Sequence, residues 1–169
     1  MSYGVSMRWG ALLIAAVLVP ACNEPARRGD GIATVTDVVD GDTIDVAIGG
    51  RHERVRLIGI DTPETKKPDS PIECFGPEAS AFTGDLLPAG TEVRIERDIV
   101  GRDDYGRLLG YVHRTSDGLF VNLAIVTGGF AQPLTIEPNS TFAGAFARAA
   151  GEAERADRGM WADCQDAGR

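Results

Sequence analysis
Beyond residue 30 the chain alternates between apolar and polar positions. Ile44, Val46 and Ile48 occupy every second place, Ile32, Val35, Val38 and Val39 come before them, and Val55, Leu57 and their neighbours up to Ile60 follow. A period of two is that of a half-buried strand. Gly41 and Gly49-Gly50 fall between these runs, so the pattern predicts three strands joined by hairpin turns. Two further strands are predicted over 92–98 and 108–113, separated by the charged loop Arg102-Asp103-Asp104-Tyr105-Gly106-Arg107. The period then lengthens. Gly76-Pro77-Glu78 opens a helix with Ala79, Phe82, Thr83 and Leu86 on one face, where proline in the first turn and an acid beside it suit a helix N-terminus. A short helix is predicted over 121–127, ended by Gly128-Gly129, and a last one over 141–155 with Phe142, Phe146, Ala149, Ala150 and Ala153 as its buried stripe. Five strands, one inserted helix and two terminal helices predict an α+β, mainly β fold: a curled five-stranded barrel backed by three helices.

The N-terminus follows other rules. Arg8 precedes an apolar run from Trp9 to Val19, too short to span a bilayer and the right length for a signal-peptide core. The run ends in Val19-Pro20-Ala21-Cys22, which resembles a lipobox, so residues 1–21 are expected to be a signal peptide of lipoprotein type with Cys22 lipidated. Cleavage by an ordinary signal peptidase is the alternative. Residues 22–30 have no apolar periodicity and are expected to be a polar tether, leaving 31–165 as one domain. The protein should then be exported and held at a membrane by its lipid, or else be secreted or periplasmic and soluble. The chain has three cysteines. With Cys22 lipidated, Cys74 and Cys164 remain in an oxidising compartment, either bonded to each other or as two separate thiols.

Composition narrows the chemistry. With 43% hydrophobic and 25% charged residues, the 169-residue chain is globular, and its net charge of −8 excludes a protein that holds DNA by bulk electrostatics. A polyanion must be met locally. Asp40-Gly41-Asp42-Thr43, Arg56, Asp61-Thr62-Pro63-Glu64 and Tyr105-Gly106-Arg107 supply oxygen ligands for a hard divalent cation, a spare carboxylate and two guanidinium groups. Taken singly, Asp40-Gly41-Asp42 reads as a hairpin turn, Asp61–Glu64 as a strand-ending turn, and Tyr105 and Arg107 as loop residues. Arg56 is harder to dismiss: in an apolar strand, on the face of Arg54, Ile58 and Ile60, it requires an anionic partner. With only His52 and His113, and no Cys-x-x-Cys, the donors suit Ca²⁺ or Mg²⁺ rather than zinc. A cation and two arginines aimed at a phosphate would stabilise the charge that builds up as a phosphodiester is hydrolysed, while Glu64 orients or deprotonates water.

In this order the motifs resemble those of the staphylococcal nuclease (thermonuclease) family. They are Val39-Asp40-Gly41-Asp42-Thr43, Arg56-Leu57, Asp61-Thr62-Pro63-Glu64-Thr65-Lys66, Gly76-Pro77-Glu78-Ala79-Ser80-Ala81-Phe82-Thr83 and Tyr105-Gly106-Arg107, within a resemblance spanning Ile32 to Trp161. The resemblance implies an OB-fold barrel with three helices. It implies Ca²⁺ held by Asp42, Asp61 and the carbonyl of Thr62, and a scissile phosphate surrounded by Arg56, Glu64 and Arg107, with Tyr105 contacting substrate. The expected function is a calcium-dependent, extracytoplasmic nuclease acting as a monomer on DNA and RNA with little sequence preference. The alternative is a noncatalytic OB-fold module that binds nucleic acid or another ligand. The chain departs from the family's staphylococcal enzyme at Leu134 and Ile136, where that enzyme has nucleotide-contacting tyrosines, and at Asp104, where it has a lysine.

Overall fold
The computed structural model describes Met1, residues 31–65 and residues 73–164. The expected signal peptide, tether and lipidated Cys22 lie outside the described residues. Strands β1 (Gly31–Asp40), β2 (Thr43–Ile48) and β3 (Arg51–Leu57) form an antiparallel meander, and β5 (Glu92–Glu96) and β6 (Leu108–Arg114) join it in one sheet. The sheet closes on itself in the order β1-β2-β3-β6-β5, with β5 pairing back to β1 and only β3 and β6 parallel. Closure leaves no free edge, and the alternate residues Ile44, Val46, Val55, Leu57, Val93, Ile95 and Val112 fill the interior. Gly49 and Gly50 both take positive φ, as a tight turn between β2 and β3 requires.

Helix α1 (Gly76–Leu86) packs on β1, α2 (Val121–Thr127) on β6, and α3 (Ala143–Arg155) on α2. The apolar stripe expected on α3 is buried at Phe146, Ala149, Ala150 and Ala153. Cys74 and Cys164 are bonded, with Cα atoms 6.1 Å apart. In the chain-entropy view, closing a loop across a sequence separation of 90 contributes about 4–5 kcal/mol.

Three details differ from the sequence expectation. The third strand stops at Leu57 rather than running to Ile60. Gly59 takes φ +81° with the Phe146 ring in the space a side chain would need, and the chain resumes as β4 (Gly59–Asp61), paired with β7 (Gln132–Leu134) in a separate two-stranded sheet. The last long helix starts at Ala143 rather than Thr141, because the N–H and hydroxyl of Thr141 both donate to the Asp98 carboxylate and hold it outside the helix. A fourth, four-residue helix, α4 (Met160–Asp163), follows and carries the chain to Cys164.

Candidate active site
The β1–β2 turn is where the chemistry begins. Thr43 pairs with Arg56 across β2 and β3, and the Leu57 N–H donates to the Asp42 carbonyl at 2.8 Å, so Asp42 and Arg56 meet at one end of the barrel. Helix α1 holds this turn through the Thr83 hydroxyl, which donates to the Gly41 carbonyl at 2.7 Å. Thr62 packs so tightly on Gly41 that a Cβ there would meet its side chain at 2.7 Å. The turn therefore has one position relative to Asp61 and Thr62.

Arg56 links the carboxylates. Its Nη1 lies 2.7 Å from Asp42 Oδ2 and its Nη2 lies 2.8 Å from Asp61 Oδ1, with the side chain 15% exposed. The N–H and hydroxyl of Thr62 also donate to Asp42 Oδ2, at 3.0 and 3.1 Å. The anionic partner that an arginine in this strand requires is thus two aspartates. Asp42 itself is 6% exposed. Burial pushes its pKa up to about 6 against the opposing pull of Arg56 and the Thr62 N–H, with Asp40 and Asp61 adding to the rise. Asp42 thus sits where more positive charge would be welcome.

Glu64 follows in the loop after β4, its Oε1 accepting from the Thr65 N–H at 2.9 Å and its own N–H donating to Glu73 Oε2 at 3.0 Å. On the opposite wall, the parallel pairing of Val55 with Leu108 brings the loop ending at Arg107 against β3. There Asp103 organises a tight turn: its carboxylate accepts from the N–H groups of Tyr105 and Arg107, and from Arg107 Nε at 2.7 Å. Partial burial opposes ionisation of Asp103, but these bonds outweigh it and lower its pKa. The Arg107 guanidinium lies 5.6 Å from the centre of the Tyr105 ring, which is 86% exposed.

A polar cleft of about 230 Å³ is lined by Asp40, Asp42, Arg56, Asp61, Thr62, Glu64 and Arg107. All six residues expected to form the catalytic and metal sites face this one space. Tyr105 does not line it but borders two other grooves, which share Arg107 with it. Leu134 and Ile136 line one of these, an apolar groove of about 380 Å³ that Arg56 and Arg107 also border.

Among the described residues, no three Cys, His, Asp or Glu side chains cluster closely enough to hold an ion on their own. Asp42, Asp61 and Thr62 line the cleft together, and oxygen donors of this kind suit a hard cation that keeps several waters or phosphate oxygens. Two contributors escaped the sequence reading. Asp103, four residues before Arg107 in a glycine-containing turn, was legible as an Asx-type turn former. Glu73 carried no local signal, because its partner lies nine residues away.

Residues 54–163 match the family described as Staphylococcal nuclease homologue. The chain is 40% identical over 127 residues to the thermonuclease of Staphylococcus intermedius, covering 75% of this chain and 74% of that one. It is 36% identical over 129 residues to the thermonuclease of Staphylococcus hyicus, covering 76% and 75%. It is 38% identical over 130 residues to the SPbeta prophage-derived endonuclease YokF of Bacillus subtilis, covering 76% of this chain and 43% of that longer protein. With a closed five-stranded barrel, the ordered acidic and arginine motifs in one cleft and these relatives, the chain belongs to the staphylococcal nuclease family.

Proposed function
We propose that this protein is an extracytoplasmic, calcium-dependent nuclease that hydrolyses phosphodiester bonds of DNA and RNA with low sequence specificity. The observation that carries the reading is the convergence of Asp42, Asp61, Arg56, Glu64 and Arg107 on one cleft. The names of the relatives, thermonucleases and an endonuclease, support it. So does the Cys74–Cys164 disulfide, which belongs to an oxidising compartment. Membrane attachment through lipidated Cys22, and a 31–165 domain acting as a monomer, complete the proposal.

Asp42, Asp61 and the Thr62 carbonyl would hold the calcium ion, which supplies positive charge at the phosphate oxygens as they gain negative charge. Arg56 now serves both aspartates, and it becomes available to a phosphate once their charge is met in another way. Arg107, held at the opposite wall by Asp103, offers a second set of N–H donors. Glu64 lines the same cleft, where its carboxylate can orient a water and take its proton. The two arginines thus act on the phosphate while Glu64 acts on the nucleophile.

The test is to incubate the purified protein with plasmid DNA and with RNA, in calcium and in chelator. Cleavage of both in calcium alone is expected. Asp42→Asn should weaken metal affinity and be partly rescued by excess calcium, while Glu64→Gln should lower turnover by roughly 10²–10⁴-fold at any calcium concentration. A folded protein that cleaves neither polymer at any calcium concentration refutes the nuclease and leaves a binding module.

A further inference from the structure
The loop carrying Glu64 is fastened to the rest of the protein by its second end. Two hydrogen bonds of opposite sense join Glu64 to Glu73: the Glu64 N–H donates to Glu73 Oε2, and the Glu73 N–H donates to the Glu64 carbonyl, each at 3.0 Å. The Glu64 carboxylate in turn accepts from the neighbouring Thr65 N–H. The direction of that carboxylate therefore follows the backbone that Glu73 holds.

The Glu73 side chain is near the surface, where water competes and such a bond contributes only about 0.5–1.5 kcal/mol. It persists at this strength only if its ends are brought together by something else. The residues after Glu73 do this. Cys74 is bonded to Cys164 beyond α4. Phe75 adopts φ +70° and sets its ring 5.3 Å from that of Phe130, which stacks on Phe82 at 4.1 Å. Gly76 then starts α1 so close to the loop that a Cβ would meet the Glu64 carbonyl at 3.0 Å and Thr65 Cγ2 at 2.7 Å. Of these anchors only the disulfide is covalent, and it is attached to the residue next to Glu73.

We propose that Glu73 is a positioning residue for Glu64, and that the Cys74–Cys164 disulfide is the strut that keeps Glu73 in place. The proposal rests on the reading of Glu64 given above. It links the C-terminal end of the fold to turnover, not only to stability: with the strut cut, the Glu64–Glu73 pair opens more often and the carboxylate spends less time aimed into the cleft. A misplacement of about 1 Å at such a group is enough to cost up to 10²-fold in rate.

The experiment measures kcat and KM on single-stranded DNA at saturating calcium, well below the melting temperature of each variant. The variants are Glu73→Ala, Glu73→Gln and the double substitution Cys74→Ser/Cys164→Ser, each also combined with Glu64→Gln. Glu73→Ala and the serine pair should lower kcat about tenfold with KM nearly unchanged. Glu73→Gln keeps an acceptor oxygen for the Glu64 N–H and should recover most of that loss. In the Glu64→Gln background neither change should lower kcat further. If the serine pair fails to fold, reduction of the folded wild-type protein by dithiothreitol, which is oxidised as the two thiols form, replaces it. Wild-type kcat in Glu73→Ala, full kcat in the protein without its disulfide, or an undiminished Glu73→Ala loss in the Glu64→Gln background would each overturn the proposal. Full turnover of Glu64→Gln alone is a separate result, which removes the role of Glu64 and the proposal with it.

Discussion
The two walls of the cleft carry the same kind of residue, an arginine paired with aspartate, in opposite settings. On one wall Arg56 of β3 joins Asp42 of the β1–β2 turn and Asp61 of β4, and Asp42 is buried. On the other, Arg107 joins Asp103 within a single turn, the two side chains 31% and 18% exposed. The first pair is part of the core's margin, and the second is a local clasp on the surface. Removing Arg56 leaves the buried Asp42 desolvated, whereas removing Arg107 leaves Asp103 in a turn that water can reach. Equal roles toward a phosphate would thus come with unequal roles in stability.

That contrast can be broken directly. Arg56→Ala should show the largest effect: a turnover loss of roughly 10²–10⁴-fold together with about 3 kcal/mol of stability, because Asp42 is left buried without its guanidinium. Nuclease assays and urea unfolding measure the two separately, and unchanged urea stability would remove the distinction between the walls. Arg107→Ala should lose turnover by a comparable factor while stability moves by less than about 1 kcal/mol. A large drop in its unfolding midpoint would show the Tyr105–Arg107 turn to be structural.

The apolar groove beside both arginines offers a smaller effect. Ile136 is 68% exposed and Leu134 38%, so neither is needed for the core, and neither presents an aromatic face. The double substitution Leu134→Tyr/Ile136→Tyr should tighten binding of a nucleoside bisphosphate by up to about 1–3 kcal/mol per stacked base. Calorimetry showing no gain would mean that a base does not meet this surface.

The last test titrates the buried wall. The pKa of Asp42 is raised on folding from 3.8 to about 6, so the folded state favours its protonated form. Its contribution to stability is fully present below pH 3.8 and is lost as pH rises through about 6. In chelator at pH 7–8, Asp42→Asn, which mimics the neutral acid, should therefore melt above the wild-type protein, and the gain should vanish below about pH 4. A lower melting temperature for Asp42→Asn at neutral pH would show that ionised Asp42 is fully compensated by Arg56 without a metal.

The strands were legible because alternation survives inside a closed barrel: Ile44, Val46, Val55 and Leu57 are fully buried, while Asp45, Ala47, Arg54 and Arg56 between them are more open. Where the pattern misled, a distant contact had intervened. The apolar stretch through Ile58 and Ile60 looks like one strand, yet Phe146, nearly ninety positions later, occupies the space above Gly59 and bends the chain into a second sheet. Thr141 looks helical until Asp98 takes both of its donors. The cleft residues were legible as chemical types in a known order, but not as partners: nothing local says that Arg56 serves Asp42 and Asp61 together, or that Glu64 leans on Glu73.

By itself the sequence determined what depends on residue type and near neighbours: the strand alternation, the hairpin glycines, the helix start at Gly76-Pro77-Glu78, the oxygen-rich donor set and the short choice of pairings for the cysteines. Only the tertiary structure decided which carboxylate is buried, which arginine pairs with it, and that the bond between Cys74 and Cys164 ends beside the residue holding Glu64. Propensity and period act over a few residues. Desolvation, ion pairing and loop anchoring depend on distances that exist only after the barrel has closed.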